Sequence, residues 1–281
     1  MRATAQRPAR RRCLPVFEAF YGMTRTPFPR DLSPDALYHS PAVDEVLSRL
    51  HYAAEQQWFV VVTGDCGVGK STVLRHFRRQ LDPTAYTLLY VADSKLTPRT
   101  FYPVLLEQLG YEPHRPGNAA KRQLHRELAV LYGLHHRRAI LVVDEAHLLS
   151  RTMVEELRFV VNTQMDGQSP LTLVLVGQSD LWDRLRLQAY TAIRQRINLQ
   201  CRLSAWDRAE VGAYIQHQLR VAGVDHALFS DAALDVIYQF SGGVARMINQ
   251  VCTQSLLYGA QQGHRVLDDR IITQVIQGEL S

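Results

Sequence analysis

The sequence predicts an α/β fold, a parallel sheet with helices on both faces, followed by a small all-helical domain. Three observations carry this. Four near-continuous apolar runs read as strands buried on both faces. Helical patterns alternate with them, the arrangement that builds a parallel sheet. After residue 203 four helical patterns follow one another with no strand between. With 281 residues the chain has length for one or two domains and an ample core. Its 46% hydrophobic and 21% charged content is that of a globular protein. No apolar run approaches the ~18 residues of a membrane span, and no apolar stretch follows the basic start as a signal peptide requires.

The elements follow in order. Residues 1–14 carry Arg2, Arg7, Arg10, Arg11 and Arg12 without an acid and read as a disordered basic tail. The formal net charge of +5 equals the contribution of those five arginines, so the rest of the chain is neutral and any polyanion site in the body is a local patch. Residues 15–41, rich in proline and aromatics, form an ordered, irregular lead-in, here grouped with the sheet domain over 15–203. A helix is expected over 42–56. Strands are expected over 58–63, 86–92, 139–143 and 171–176, and an alternating edge strand over 197–203. Helices are expected over 71–81, 98–109, 119–132, 151–164 and 180–195. Residues 204–281 form the helical domain, with helices over 207–222, 230–240, 244–260 and 267–278, and Ser204, Ser230 and Ser241–Gly243 as cap or turn residues. The four cysteines are far apart and lack zinc spacing, as expected of reduced thiols in a cytoplasmic protein.

One motif is specific. Gly64, Asp65, Cys66, Gly67, Val68, Gly69, Lys70 and Ser71 match G-x-x-x-x-G-K-[ST] between an apolar strand and a helix that runs on through Thr72. Glycines let the backbone curl so that its N–H groups face phosphate oxygens, and the helix dipole favours the anion. Lys70 is placed to bridge β- and γ-phosphates, and the Ser71 hydroxyl to ligate Mg²⁺. The run Ala139–Val143 delivers Asp144 and Glu145 to a strand's C-terminal end, where open α/β sheets bind ligands. Asp144 suits the Mg²⁺ shell. Glu145 suits the polarisation of a water for attack on the γ-phosphate.

The motif at 64–71, the Asp144-Glu145-Ala146-His147 run and the helical tail resemble an AAA+ P-loop ATPase. Further segments are similar to the ExeA-like family: Phe20-Tyr21-Gly22, Thr26-Pro27-Phe28, Leu37-Tyr38, Leu175–Gln178, Gln195-Arg196-Ile197 and Ser241–Asn249. That family includes secretion-pathway ATPases and DNA-transposition ATPases of the TnsC/TniB/MuB type. The resemblance implies that Gln178 is the sensor on the γ-phosphate or attacking water, and that Arg246 is a second sensor from the helical lid. It implies that Arg196, with Arg194 as the alternative, is an arginine finger acting on a neighbouring subunit of a homo-oligomeric ring or filament. Tyr38 would cover the adenine of ATP, or equally be a core aromatic.

Residues 94–102 and 113–138 are rich in basic residues, and their place in related AAA+ rings implies contact with double-stranded DNA through Lys95, Arg99, Thr100 and Lys121. No base-reading motif is visible, so this binding is expected to be largely independent of sequence. Secretion members carry a membrane helix after the ATPase, whereas this sequence ends at Ser281. On that ground the first reading is a cytoplasmic ATPase that oligomerises on DNA, away from the membrane, and recruits a transposase. A secretion-pathway ATPase and a nucleotide-gated scaffold with little turnover are the alternatives.

Overall fold

The computed structural model describes residues 16–29, 36–93, 96–114, 117–161 and 169–280, so the basic tail and Lys95 lie outside the described residues. In chain order the elements begin with α1 (Val16–Tyr21), α2 (Pro41–Gln56), β1 (Phe59–Gly64), α3 (Lys70–Gln80), β2 (Tyr86–Val91), α4 (Pro98–Gln108) and α5 (Gly117–Gly133). Next come β3 (Arg138–Val143), α6 (Arg151–Val160), β4 (Leu171–Gly177), α7 (Ser179–Arg186), α8 (Thr191–Arg194) and β5 (Leu199–Leu203). Four helices close the chain: α9 (Arg208–Val221), α10 (Asp231–Ser241), α11 (Ala245–Gln262) and α12 (Asp269–Glu279). Two compact units result. One is His39–Ala205; the other joins the chain up to Tyr38 with Trp206–Ser281. Among the described residues no helix is long and apolar enough to cross a membrane.

In the first unit the five strands are parallel, in the order β2-β3-β4-β1-β5. Register places Val61 beside Leu175 and Leu141 beside Leu173. All of β1 and β4 is buried, as continuous apolar runs require. β5 is the expected edge strand, with Cys201 and Leu203 inside and Gln200 and Arg202 outside. β2 departs from expectation: it is the other edge, and only Leu89 and Val91 are buried. An apolar edge strand and an apolar central strand look alike when periodicity is the only signal.

Local chemistry sets the helix starts. Ser40 accepts the Val43 N–H ahead of Pro41, and Ser150 accepts that of Met153. Thr97 and Thr100 make a capping box at α4. The expected helix over 180–195 is split into α7, a short 3₁₀ turn at Gln188–Tyr190, and α8, because Leu187 is extended (φ −62°, ψ 147°). α6 ends at Val160, with Val161 beyond it as its C-cap.

In the second unit, Asp207 and not Ser204 caps α9, in a box with Glu210; Ser230 caps α10 as expected. Grouping the lead-in with the sheet domain is corrected here. Phe17, Tyr21, Met23 and Phe28 share a core with Val211, Tyr214, Ile248, Val251 and Leu256. The Tyr21 hydroxyl donates to the His264 carbonyl (2.9 Å), and Thr24 N–H donates to that of Ala222 (2.8 Å). Gly259 makes room for Tyr21, since a Cβ there would lie 2.4 Å from its hydroxyl. The aromatic residues of the lead-in find a larger apolar surface on α9 and α11 than their own short helix supplies.

Gly243 shows why the paired glycines follow α10. Its φ is +76°, and a Cβ would sit 1.9 Å from the Trp206 carbonyl oxygen, whose own N–H bonds back to the Gly243 carbonyl (3.0 Å). Gly243→Ala combines a left-handed backbone with a backbone clash and is expected to destabilise this unit by at least about 2 kcal/mol. Thermal unfolding followed by circular dichroism checks it. An unchanged midpoint would mean that the turn relaxes freely.

Candidate functional site

Gly64 ends β1 so close to β5 that a Cβ would lie 2.5 Å from the Leu203 carbonyl. Beyond it Gly67 (φ +87°) and Gly69 (φ +106°) take left-handed backbone that other residues resist. The loop turns straight into α3, whose N-terminus has no side-chain cap. The Thr72 and Val73 amides donate to the Gly69 carbonyl (2.9 and 3.0 Å), and the uncapped helix start, with its dipole, suits an anion. Lys70, only 9% exposed, donates from Nζ to the carbonyls of Gly64 (2.6 Å) and Asp65 (2.9 Å). The ammonium thus sits inside the curl of the loop. Ser71 is exposed, and Thr72 and Cys66 flank the same turn. The Asp65 carboxylate is tied to the first residue of α7 by the Ser179 hydroxyl (2.6 Å).

Because β4 lies between β1 and β3, the ends of these three strands share one edge. Asp144 follows β3 and is 6% exposed. Its Oδ1 accepts the Glu145 N–H (2.8 Å) and its Oδ2 accepts the Tyr90 hydroxyl (2.7 Å). Burial, and then the bond to Asp144, push the Tyr90 phenol above its usual range. Glu145 holds a left-handed backbone (φ 52°, ψ 32°), a conformation that costs a non-glycine residue about 1 kcal/mol. Its carboxylate stays near half exposed, with Oε2 3.4 Å from His147 Nδ1. His147 Nδ1 also accepts the Gln178 N–H (3.5 Å). Gln178, at the end of β4, is thereby joined to the segment that carries Glu145. Gly177 allows this approach: a Cβ there would lie 3.2 Å from the His147 N.

The donor set fits Mg²⁺. A buried carboxylate held by two hydrogen-bond donors, with a serine hydroxyl on a helix that opens at the same sheet edge, supplies hard oxygen ligands. Among the described residues no cluster of three histidines, cysteines or carboxylates could cage a metal.

Other expected residues fall as follows. Arg194 ends α8 and Arg196 lies two residues beyond it, before β5; each is half-buried, and they donate to the Arg186 (2.7 Å) and Ala192 (3.1 Å) carbonyls. The neighbouring Arg184 is structural, bonded to the His147 carbonyl and the Tyr190 hydroxyl (3.0 Å each). Tyr38 and Arg246 lie in the helical unit. Tyr38 packs edge-on against Trp206 (5.6 Å) and Tyr214 (5.8 Å), and Arg246 is exposed on the first turn of α11.

Arg99 and Thr100 are exposed at the start of α4, beside a groove of about 1240 Å³. Thr100 Oγ1 is engaged in the capping box, where it accepts the Thr97 N–H (3.1 Å). Lys121 is paired with Glu156 (2.6 Å), which also accepts the Tyr102 hydroxyl, and lies over the Phe159 ring (4.6 Å). With Glu107 and Glu112 also lining it, the groove carries both signs of charge, unlike the basic stripe expected from the sequence. Reading the chain linearly missed Tyr90, His147 and Ser179. Only His147, beside the acidic pair, carried a signal.

Residues 53–185 match the AAA domain family. Over 256 residues, 90% of this chain, the sequence is 31% identical to general secretion pathway protein A of Aeromonas hydrophila. The chain spans about half that protein's length (46%). The structure resembles the ORC2 protein of Aeropyrum pernix in its ADPNP–ADP complexes (TM-score 0.67, 15% identity, 89% of this chain and 71% of that one). It also resembles Drosophila ORC bound to DNA (TM-score 0.66, 16% identity, 100% and 70%). The Thermotoga maritima RuvB branch migration motor is similar too (TM-score 0.58, 19% identity, 89% and 72%). Identities this low speak for the fold, which is that of an AAA+ P-loop domain.

Two substitutions separate binding from chemistry at this edge. Lys70→Ala is expected to weaken adenine-nucleotide binding at least about 100-fold, through loss of the ammonium inside the loop. Glu145→Gln is expected to retain binding but slow hydrolysis by about 10²- to 10⁴-fold. Fluorescent-nucleotide titration and phosphate release check both. Wild-type affinity in the first variant, or wild-type turnover in the second, would contradict the assignment.

Proposed function

We propose that this chain is a Mg²⁺-dependent ATP hydrolase of the ExeA-like AAA+ family that works as an assembly of its own copies. The observation that carries it is the convergence at one sheet edge of the phosphate loop, the Asp144–Glu145 pair and Gln178. Lys70 and the loop amides bind the β- and γ-phosphates, and Ser71 with Asp144 holds Mg²⁺, which neutralises charge on those phosphates. Glu145 takes a proton from the attacking water, and Gln178 orients that water or the γ-phosphate. Tyr38 and Arg246 are proposed to serve the adenine and the γ-phosphate from the helical unit.

Arg196 is proposed as the finger on a neighbouring copy's γ-phosphate, with Arg194 the alternative. Arginine there stabilises charge in the transition state, so its loss removes turnover and spares binding. Mixing Arg196→Ala with Glu145→Gln, each inactive alone, is expected to restore part of the hydrolysis. In mixed assemblies one interface pairs an intact finger with an intact Glu145. No recovery at any ratio, with mixed assemblies demonstrated, would contradict a shared site.

The 31% identity to general secretion pathway protein A favours service in a secretion pathway. The second reading, assembly on duplex DNA with recruitment of a transposase, is favoured by Arg99 and Thr100, exposed together at the start of α4. Phosphate-dominated binding predicts that DNA affinity falls steeply with salt and varies little with sequence. Arg99→Ala should then reduce the salt slope by about one unit. Salt-insensitive binding, or none, leaves the secretion reading. ATP supply fits a cytoplasmic catalytic unit under both.

A further inference from the structure

Tyr90 stands on the edge strand β2, beside the strand that leads to Asp144. The residue is 41% exposed, yet its hydroxyl donates to Asp144 Oδ2 at 2.7 Å. The other carboxylate oxygen is engaged by the Glu145 N–H (2.8 Å). Two donors, one on each oxygen, fix the rotation of the carboxylate about its Cβ–Cγ bond. Each oxygen keeps a lone pair for a further ligand. Tyr90 is itself clamped. β2 is an edge strand, and on its open side the Gln108 side chain plays the part of a missing neighbour. Gln108 Oε1 accepts the Tyr90 N–H (2.9 Å), and Gln108 Nε2 donates to the Tyr90 carbonyl (2.9 Å). The Asp144 N–H donates to the Val91 carbonyl (2.8 Å), so the two residues are also joined through backbone.

We propose that Tyr90 is a positioning residue for the metal-binding carboxylate of Asp144, held in place by the Gln108 clamp at the end of α4. The proposal rests on Asp144 as a metal ligand. Tyr90 touches neither substrate nor metal. It acts by presenting Asp144 in one orientation, so that Mg²⁺ binding does not have to order a freely rotating side chain.

The test separates metal from nucleotide. Binding of a fluorescent ATP analogue is measured in EDTA and then across a Mg²⁺ titration, for wild type, Tyr90→Phe and Gln108→Leu. Tyr90→Phe removes one oxygen and leaves the ring. It is expected to keep its affinity in EDTA and its melting temperature, but to need about 5- to 30-fold more Mg²⁺ for half-maximal enhancement, the loss typical of one bond to a charged group. Gln108→Leu is expected to shift the Mg²⁺ midpoint in the same direction by a smaller factor. A Tyr90→Phe midpoint within twofold of wild type overturns the proposal. So does an equal loss of affinity in EDTA, which would make Tyr90 a prop for the loop as a whole. A shift in Tyr90→Phe with none in Gln108→Leu overturns the clamp. Wild-type protein that binds nucleotide without any response to Mg²⁺ would instead refute the metal role of Asp144.

Discussion

The pairing of β4 between β1 and β3 is the constraint from which the candidate site follows. Each strand delivers one part: the phosphate loop from β1, the acidic pair from β3, and Gln178 from β4. Parallel pairing brings those parts to one edge, and β4 between β1 and β3 makes them neighbours there. Apolar burial enforces the order. Leu171, Leu173, Val174, Leu175 and Val176 are fully buried, and each side chain contributes roughly 1.5–3 kcal/mol relative to exposure. A strand buried on both faces and paired on both edges has nowhere else in the unit to go.

Rigidity in the sheet permits strain at its edge. Glu145 keeps a left-handed backbone because the residue before it is fixed by three bonds, from Tyr90, from its own neighbour's N–H and to Val91. Lys70 is similarly held by carbonyls of its own loop, so its charge is placed before any phosphate arrives. A site organised in this way loses little entropy on binding. The groove beside α4 is organised differently. Among its described lining residues Lys121 is paired with Glu156, and Glu107 and Glu112 stand with Arg99, so both signs of charge are present.

Much of this was legible in the sequence, for identifiable reasons. The phosphate loop shows because several glycines and a lysine must stand at fixed offsets, and the acidic pair because an apolar strand must precede it. β5 showed its edge position by alternation. β2 did not, because its outward residues include tyrosines that read as apolar. The break at Leu187 carries no glycine or proline, and only tertiary packing imposes it. The lead-in was assigned to the wrong unit because Tyr21 meets Gly259 across more than two hundred residues, beyond the reach of any local pattern. Lys121 looked like a free cation for the same reason: Glu156 is distant in sequence. Tyr90 and Gln108 gave no signal, since their roles exist only once β2 lies at the edge beside Asp144.

The central claim is that the shared edge of β1, β3 and β4 is the nucleotide site. Amide hydrogen exchange with and without Mg²⁺ and a non-hydrolysable ATP analogue tests it most directly. The account predicts slowed exchange concentrated in residues 64–72 and at 144–145 and 178, where backbone donors face phosphate or are ordered by the metal. Unchanged exchange at residues 64–72 under saturating analogue, with protection elsewhere, would contradict it.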